Sequence, residues 1–312
     1  MDDPREALLS KIDLKACRVE LSNSPIVLLC GGKVAFKDRP EDPDPEIASI
    51  RHAITQKQPE YEFFRPEEIT SWQNDAVFKN LMSFEADLAS ICTLVVLVLE
   101  SAGAIAELGA FSQLDGLRKK LIVIKSGTFN DDTSFINLGI LRHIREEHET
   151  SVKSYPWNIN NPSSIQDDVI EDIIHDIQLE LNSLPKSSVL KLSLNSHEIV
   201  LICELLTLFV ALKEKEILIY LQEIGVDINK AKLKGKLFLL TEFKLIKRYE
   251  YGGSHFYIRT NEIYHKLRLT PKKDKSIDAL RVPIECIQYY EENKDRHRSK
   301  AIKEAAQVID SE

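Results

Sequence analysis

The chain has 312 residues, which is enough for two domains of ordinary size. Hydrophobic residues make up 43% and charged residues 29%, proportions that are typical of a folded globular protein and exclude a disordered chain. The longest apolar runs, such as Thr93–Leu99, fall far short of the roughly 20 residues that a membrane span needs. The N-terminus is acidic and lacks the pattern of a signal peptide. We therefore expect a cytoplasmic protein without a membrane segment.

The net charge of −8 is distributed unevenly along the chain. The segment Ile228–Lys275 contains thirteen basic and four acidic residues, which gives it a net charge of +9. The rest of the chain must then sum to −17. This asymmetry predicts an acidic body and a basic module that faces a polyanion.

The cysteines are scattered, and none belongs to a Cys-x-x-Cys pair. They are Cys17, Cys30, Cys92, Cys203 and Cys286. Their odd number and spacing predict buried, reduced thiols rather than a disulfide framework. The eight histidines show no metal-ligand spacing, so we expect no metal site.

Strands and helices alternate in the first half of the chain. The predicted strands are Pro25–Cys30, Tyr61–Phe64, Thr93–Glu100, Lys120–Lys125 and, at an edge, Val152–Tyr155. The predicted helices are Pro45–Gln58, a segment ending at Ile91, Ile105–Leu114, Thr133–Glu147 and Ile165–Leu184. Because the third strand is almost continuously apolar, both of its faces should be buried. This pattern predicts an α/β fold with a doubly wound parallel sheet.

A different pattern follows a predicted linker at Ser183–Lys191. The predicted elements are the helices Glu198–Val210 and Lys213–Glu223, a third helix carrying Lys230 to Lys236, and the strands Lys244–Tyr251 and Ser254–Arg259 around a Gly-Gly turn. Three helices and a hairpin predict a winged helix-turn-helix domain. We therefore expect an α/β domain over 1–185, a winged helix-turn-helix domain over 192–270 and a charged helical tail over 271–312.

Two loops carry the candidate chemistry, because ligands of doubly wound sheets bind beyond the carboxyl ends of the strands. The first loop, Cys30-Gly31-Gly32-Lys33, could present backbone N–H groups to an anion, although a plain tight turn explains two glycines equally well. The second loop runs from Glu100 to Glu107 as Glu-Ser-Ala-Gly-Ala-Ile-Ala-Glu. Its small residues leave room for a substrate beside Glu107. The alternative is that Glu107 only complements the helix dipole.

The sequence from Glu100 to Phe111 resembles the nucleoside 2-deoxyribosyltransferase-like family of N-glycosidic enzymes, and the resemblance covers roughly residues 22–160. It implies that Glu107, in a Glu-Leu-Gly triplet, attacks or stabilises the anomeric carbon of a ribose. It also implies that Glu100 and Ser101 lie near the sugar hydroxyls. The candidate substrate-binding residues are Gly31, Gly32, Lys33, Glu100, Ser101 and Gly103. An aspartate often occupies the position of Ser101, and the family's first-loop aromatic is missing around Leu29–Lys33, which argues against nucleobase exchange.

With its transferase-like segment followed by a predicted winged helix, the whole chain resembles the effectors of bacterial retron anti-phage systems. This resemblance implies a toxin-like enzyme that destroys NAD+ and that a reverse transcriptase and its msDNA/msrRNA hybrid regulate. It also implies a higher-order oligomer. NAD+ would be the substrate, and we expect no separate cofactor.

Leaving-group chemistry also favours NAD+. A carboxylate stabilises the oxocarbenium-like state of glycosidic cleavage, whereas an ordinary nucleobase must also be protonated to leave. Nicotinamide leaves as a neutral molecule and needs no acid, and no acid is evident beside Glu107 in the sequence. We therefore predict hydrolysis of NAD+ to nicotinamide and ADP-ribose. Two alternatives remain open: a deoxyribosyltransferase or N-glycosidase with other substrates, and a non-catalytic nucleotide-sensing DNA-binding regulator.

The basic module is the candidate nucleic-acid interface. Its candidate contacts are Lys230, Lys232, Lys234, Lys236, Lys247, Arg248, His255 and Arg259. A helix with closely spaced lysines can follow a phosphate backbone without reading base sequence. The alternative is a solvated surface on a protein-interaction domain.

Overall fold

The computed structural model describes residues 2–37, 39, 41–57, 59, 61–71, 77–129 and 133–309. The chain divides into two compact units. The α/β unit takes its residues from 25–70 and 80–184, and the helical unit from 1–24, 71–79 and 185–312.

The α/β unit is built on a parallel five-stranded sheet. Its strands are β2 (Ile26–Cys30), β3 (Glu62–Phe64), β4 (Leu94–Leu99), β5 (Leu121–Ser126) and β6 (Val152–Tyr155), arranged in the order β3-β2-β4-β5-β6. All strand pairs in this sheet are parallel, which confirms the predicted α/β class. This order places β2 and β4 side by side, although β3 separates them in sequence. The chain reverses its direction of winding there, and a doubly wound sheet opens a ligand crevice at that point.

Helices connect the strands. They are α2 (Ile50–Gln56), α3 (Leu81–Ile91), α4 (Ala102–Phe111), α5 (Asp115–Arg118), α6 (Arg142–Glu147) and α7 (Asp167–Ser183). Every residue of β4 is buried, as its apolar run predicts. On one face of the sheet, Leu29, Val96 and Ile122 pack in a core with residues of α2 and α7. No helix in the described part of the chain combines the length and the apolar composition of a membrane span.

Several predicted helices differ from those in the structure, and those predicted from Ile105 and Glu198 each begin three residues earlier. The helix predicted from Pro45 begins only at Ile50, because the Ser49 side chain caps it by accepting a hydrogen bond from the His52 N–H. The helix predicted over Thr133–Glu147 consists of a π-helical turn at Ile136–Leu141 that continues into α6.

The helical unit contains two antiparallel sheets. Its strands are β1 (Arg18–Glu20), β7 (Ser187–Val189), β8 (Ala211–Leu212), β9 (Ile246–Tyr251), β10 (Ser254–Arg259) and β11 (Lys266–Arg268), paired as β11-β1-β7 and β8-β10-β9. Its helices are α1 (Pro4–Lys11), α8 (Asn195–Phe209), α9 (Glu214–Glu223), α10 (Lys230–Glu242), α11 (Val282–Glu292) and α12 (Arg296–Ile309). The predicted three helices and hairpin are therefore present as α8, α9, α10 and β9–β10. All five cysteines are buried and free, which confirms their predicted state.

The division of the chain differs from the predicted boundaries of 1–185, 192–270 and 271–312. Strand β1 pairs with β7 and β11, so the first 24 residues group with the helical unit. Strand β7 itself lies inside the predicted linker. Ala301 and Ala305 of α12 pack against Tyr249 and Phe256 of the hairpin, so the tail belongs to the same unit. These pairings join residues far apart in sequence, and local patterns do not reveal them.

Lys236 belongs to the interior of the helical unit. Its side chain is only 1% exposed, and its Nζ lies 3.1 Å from Glu198 Oε2. It also donates to Asn195 Oδ1 at 3.3 Å. The prediction of a nucleic-acid contact at Lys236 is wrong, because helical spacing places it on the face of α10 that buries Leu233 and Leu240.

Replacing Lys236 with Met should destabilise the protein by about 3–5 kcal/mol, because it leaves the buried Glu198 carboxylate without its cation. Urea denaturation measures this change. The control is Lys232→Met, at an exposed position on the same helix, which should change stability by no more than about 0.5 kcal/mol. Equal stability of the two variants would show that the ion pair is unimportant.

Candidate functional site

The two predicted loops meet at the carboxyl edge of the sheet. Strands β2 and β4 are neighbours that end at Cys30 and Leu99, and the loops follow directly. The Gly32 N–H donates to Glu100 Oε1 at 3.1 Å, which joins one loop to the other. The structure therefore brings the candidate residues together at the crevice between β2 and β4.

Glu100 holds this edge of the sheet together. Its Oε1 accepts hydrogen bonds from the N–H groups of Gly32 and Arg51, both at 3.1 Å. Its Oε2 accepts from the Ile50 N–H at 2.7 Å. Burial raises the pKa of Glu100 while these backbone donors act to lower it. Both oxygens accept hydrogen bonds from the backbone of the first loop and of α2, and the predicted position of Glu100 near the sugar hydroxyls stays a prediction.

Both glycines of the first loop are required for close packing, and an anion contact at Gly31 stays a prediction. Gly31 has a φ of +151°, and a Cβ there would lie 3.0 Å from the Cβ of Val98. A Cβ on Gly32 would lie 2.8 Å from the Cβ of Ser49 and 2.9 Å from the Glu100 side chain. The Gly32 N–H is already bound to Glu100, so it is not available to a ligand. Lys33 is exposed beside this loop, and its role in substrate binding stays a prediction.

Ser101 and Gly103 form the start of α4. The Ser101 Oγ caps the helix by accepting from the Ala104 N–H at 3.1 Å. Ala102, Gly103 and Ala106 are exposed, and a Cβ on Gly103 would meet only the Ser101 Oγ, at 3.8 Å. The first turn of α4 is therefore open, as its small residues predict, and a substrate contact there stays a prediction.

Glu107 lies in the second turn of α4 and is half-buried. Its Oε2 is fully buried and has no hydrogen-bond partner among the described residues. Burial raises the pKa of Glu107, the charge of Arg51 lowers it, and the charge of Glu67 raises it further. A buried carboxylate oxygen without a partner is costly in a folded protein, so it is typical of a position that meets a ligand.

Arg51 and Glu67 belong to this site, and sequence reasoning missed both. Arg51 donates from Nε to the Leu29 carbonyl at 2.9 Å and from Nη1 to the Gly32 carbonyl at 3.3 Å. Its Nη2 donates to Glu67 Oε2 at 2.7 Å. Although burial acts to raise it, the hydrogen bond from Arg51 holds the pKa of Glu67 below its usual value. Neither residue lies in a recognisable motif, so no signal in the sequence could have found them.

Glu85 is the third residue that the sequence did not reveal. It lies in α3 and is only 8% exposed. Burial raises the pKa of Glu85 to about 7, and the charges of Glu107 and Glu67 contribute to this rise while Arg51 opposes it. Only a weak signal in the sequence pointed to Glu85. This residue lies with Phe84 and Leu88 on the buried face of α3, where an ionisable carboxyl is uncommon.

The candidate basic surface is a groove in the helical unit. The cavity measures about 930 Å³ and lies between α9, α10 and the hairpin β9–β10. The basic residues lining it are Lys213, Lys215, Lys230, Lys234, Arg248 and His255, and the acidic ones are Glu214 and Glu242. Four of these basic residues were candidates from the sequence, whereas Lys213 and Lys215 were missed because they lie outside the basic segment.

The remaining candidates lie outside the residues that line this groove. Lys232 is exposed on α10, and Lys247 is exposed on β9, where its Nζ lies 5.6 Å from the centre of the Tyr249 ring. The Arg259 guanidinium binds the carbonyls of Leu245 and Glu262 at the base of the hairpin. The structure therefore gives Arg259 a structural role at the base of the hairpin, and its contact with nucleic acid stays a prediction.

The family model described as "STM3845 retron effector protein" matches residues 47–248, which is more than half of the chain. The chain belongs to this retron effector family. The match begins just before α2 and ends within the hairpin, so it includes Arg51, Glu85 and Glu107 as well as α10.

Two proteins of Escherichia coli are similar to this retron effector in sequence. One is named "Retron Ec86 putative ribosyltransferase/DNA-binding protein" and is 31% identical over 158 residues, which are 48% of this chain and 47% of the relative. The other is named "Retron Ec73 putative ribosyltransferase/DNA-binding protein" and is 37% identical over 81 residues, or 26% of each chain. The chain therefore spans about half of the first relative and about a quarter of the second.

The packing of the first loop yields a stability prediction. Gly32→Ala should destabilise the protein by about 1–3 kcal/mol, because the new Cβ must displace Ser49 or Glu100. Gly109→Ala is the matched control, since a Cβ there meets no atom within 4 Å and alanine favours the helix. Thermal unfolding of both variants tests the difference, and a Gly32→Ala protein as stable as wild type would contradict it.

Proposed function

We propose that this retron effector hydrolyses the N-glycosidic bond of NAD+ during anti-phage defence, with Glu107 as the catalytic carboxylate. The observation that carries the proposal is the buried, unpartnered Oε2 of Glu107 beside the open first turn of α4, at the carboxyl edge of the sheet. The word ribosyltransferase in the names of the two relatives supports chemistry at a ribose. The resemblance of the Glu-Leu-Gly segment to N-glycosidic enzymes points to the same bond.

In the proposed reaction, the bond between the ribose C1′ and the nicotinamide nitrogen breaks, and its electron pair leaves with the nitrogen. Nicotinamide departs as a neutral molecule, and the ribose acquires oxocarbenium character that the Glu107 carboxylate stabilises. Water then adds its oxygen to C1′ and releases a proton. The products are nicotinamide, ADP-ribose and one proton.

Glu85 reopens the alternative of other N-glycoside substrates, because it is a buried carboxyl whose pKa is raised by burial and by the charge of Glu107. Its raised pKa of about 7 keeps a substantial fraction of this carboxyl protonated at neutral pH. A protonated Glu85 could donate to a neutral nucleobase as that base leaves. Release of free bases from nucleosides, measured beside nicotinamide release, separates the two substrate classes, and base exchange is tested by adding a second base.

Glu107→Gln should lower NAD+ hydrolysis by about 100-fold or more, because it removes the charge that faces the oxocarbenium-like state. Release of nicotinamide from NAD+ by the purified full chain measures this loss. Glu62→Gln is the control, since Glu62 is exposed at the amino-terminal end of β3, away from the site. Unchanged hydrolysis by a folded Glu107→Gln protein would refute the assignment of Glu107 as the catalytic carboxylate, whereas absence of nicotinamide release by the wild-type chain would favour a non-catalytic nucleotide sensor.

We further propose that α8–α10 and the hairpin β9–β10 form a winged helix-turn-helix that binds nucleic acid. Five lysine and arginine side chains and two glutamates line the groove, so it favours a polyanion. The DNA-binding part of the relatives' names agrees with this surface. The proposed partners are the retron reverse transcriptase and its msDNA/msrRNA hybrid, in a higher-order assembly.

The double variant Lys230→Glu/Lys234→Glu should weaken binding to a labelled DNA–RNA hybrid, because two phosphate contacts are lost. The slope of log affinity against log salt should fall in magnitude by about two. The control, Lys273→Glu/Lys275→Glu, makes the same change in net charge at exposed positions outside the groove. Fluorescence anisotropy across a salt series measures both variants. Equal salt slopes for the two double variants would mean that Lys230 and Lys234 act only through the overall charge of the protein.

A further inference from the structure

The groove of the helical unit combines a basic rim with an apolar interior. The apolar residues that line it are Val77, Leu218, Leu237, Phe238 and Tyr257. The ring of Phe238 meets the ring of Phe78 edge-on, with centroids 6.0 Å apart, and this contact fixes its orientation. Leu237 and Tyr257 are largely buried, so they form the floor of the cavity rather than its rim.

The shape of this surface separates two kinds of nucleic acid. In a duplex the bases are stacked inside and only phosphates and base edges reach a protein, so a recognition helix must protrude. Here the basic residues of α9, α10 and the hairpin surround a concavity. Its volume of about 930 Å³ lies in the range of about 300–1,000 Å³ typical of pockets that enclose small organic molecules. An unstacked base can enter such a space, whereas a base that is stacked inside a duplex cannot.

The positions of the lysines on α9 and α10 also distinguish binding of a single strand from binding of a duplex. Lys230 and Lys234 line the groove together with Lys215 of α9, whereas Lys232 is exposed on α10 outside it. A duplex that followed the outer face of α10 would use Lys232. A strand that lies in the groove would use Lys215 and Lys234 instead.

We propose that this groove binds single-stranded nucleic acid, with at least one unstacked base lying against Phe238 and the phosphates on the surrounding lysines. The inference rests on the proposed nucleic-acid interface and specifies that its ligand is a single strand rather than a duplex. Single-strand sites combine a positively charged groove with aromatic rings on which bases stack, and both parts are present here. Glu214 and Glu242 at the lining reduce the positive charge without reversing it.

The test uses the full chain and a short oligothymidylate that carries one 2-aminopurine, whose fluorescence falls when the base stacks. We expect the single strand to bind at least about tenfold more tightly than the same strand annealed to its complement. We also expect 2-aminopurine quenching on binding. Equal or tighter binding of the duplex, or binding without quenching, would overturn the proposal. An RNA strand of the same sequence tells whether the groove prefers DNA or RNA.

Phe238→Leu keeps an apolar side chain of similar size but removes the aromatic face. It should weaken single-strand binding by about 5- to 150-fold, the range for loss of one stacked base, and leave the salt slope unchanged. Lys215→Gln should weaken binding and reduce the slope, whereas Lys232→Gln should do neither. Unchanged affinity in a folded Phe238→Leu protein, or a larger loss from Lys232→Gln than from Lys215→Gln, would contradict this placement. If wild type binds neither strand form, the nucleic-acid interface itself fails, which is a different outcome from preference for the duplex.

Discussion

The candidate active site depends on the three backbone hydrogen bonds that Glu100 accepts. They connect the end of β4 to the glycine loop after β2 and to the first turn of α2. A carboxylate that accepts several backbone N–H groups is a strong local restraint, since each bond is charge-assisted. By fixing the start of α2, Glu100 also places Arg51, whose guanidinium then reaches Leu29, Gly32 and Glu67. The glycines permit this arrangement because the loops pack too closely for a Cβ.

Three glutamates at this site lie in different environments, which shift their pKa values differently. Glu67 receives the guanidinium of Arg51 and is held ionised. Glu107 keeps a buried oxygen without a partner, while burial and the charges of Glu107 and Glu67 push the pKa of Glu85 to about 7. Environments that separate the pKa values of neighbouring acids are how a site obtains an anion and a proton donor from the same side chain. In the proposed assignment Glu107 is the anion and Glu85 the proton donor; burial raises the pKa of Glu107 as well, but the charge of Arg51 opposes that rise.

The uneven charge of the chain corresponds to a group of basic side chains around one groove of the helical unit. Lysines from α9 and α10 and the arginine of β9 surround one concavity, although only part of this set lies in the strongly basic segment of the sequence. Lys236 lies in the same segment but forms a buried ion pair with Glu198. The number of positive charges therefore supports the proposed polyanionic partner, while their arrangement around an apolar floor supports the proposed single strand in the groove.

Sequence alone determined the α/β class, the apolar strand β4, the five free thiols and the loop that leads from the end of β4 into the next helix, because these features are encoded in local periodicity and in contiguous motifs. Tertiary structure decided the rest. Arg51, Glu67 and Glu85 enter the site only through interactions between elements that are separated in sequence. The role of Glu100 as a backbone acceptor, the pairing of β1 with β7 and β11, and the burial of Lys236 all depend on contacts between distant residues. A periodic pattern specifies which face of an element is apolar, but not which element covers that face, and that is where the prediction from sequence ends.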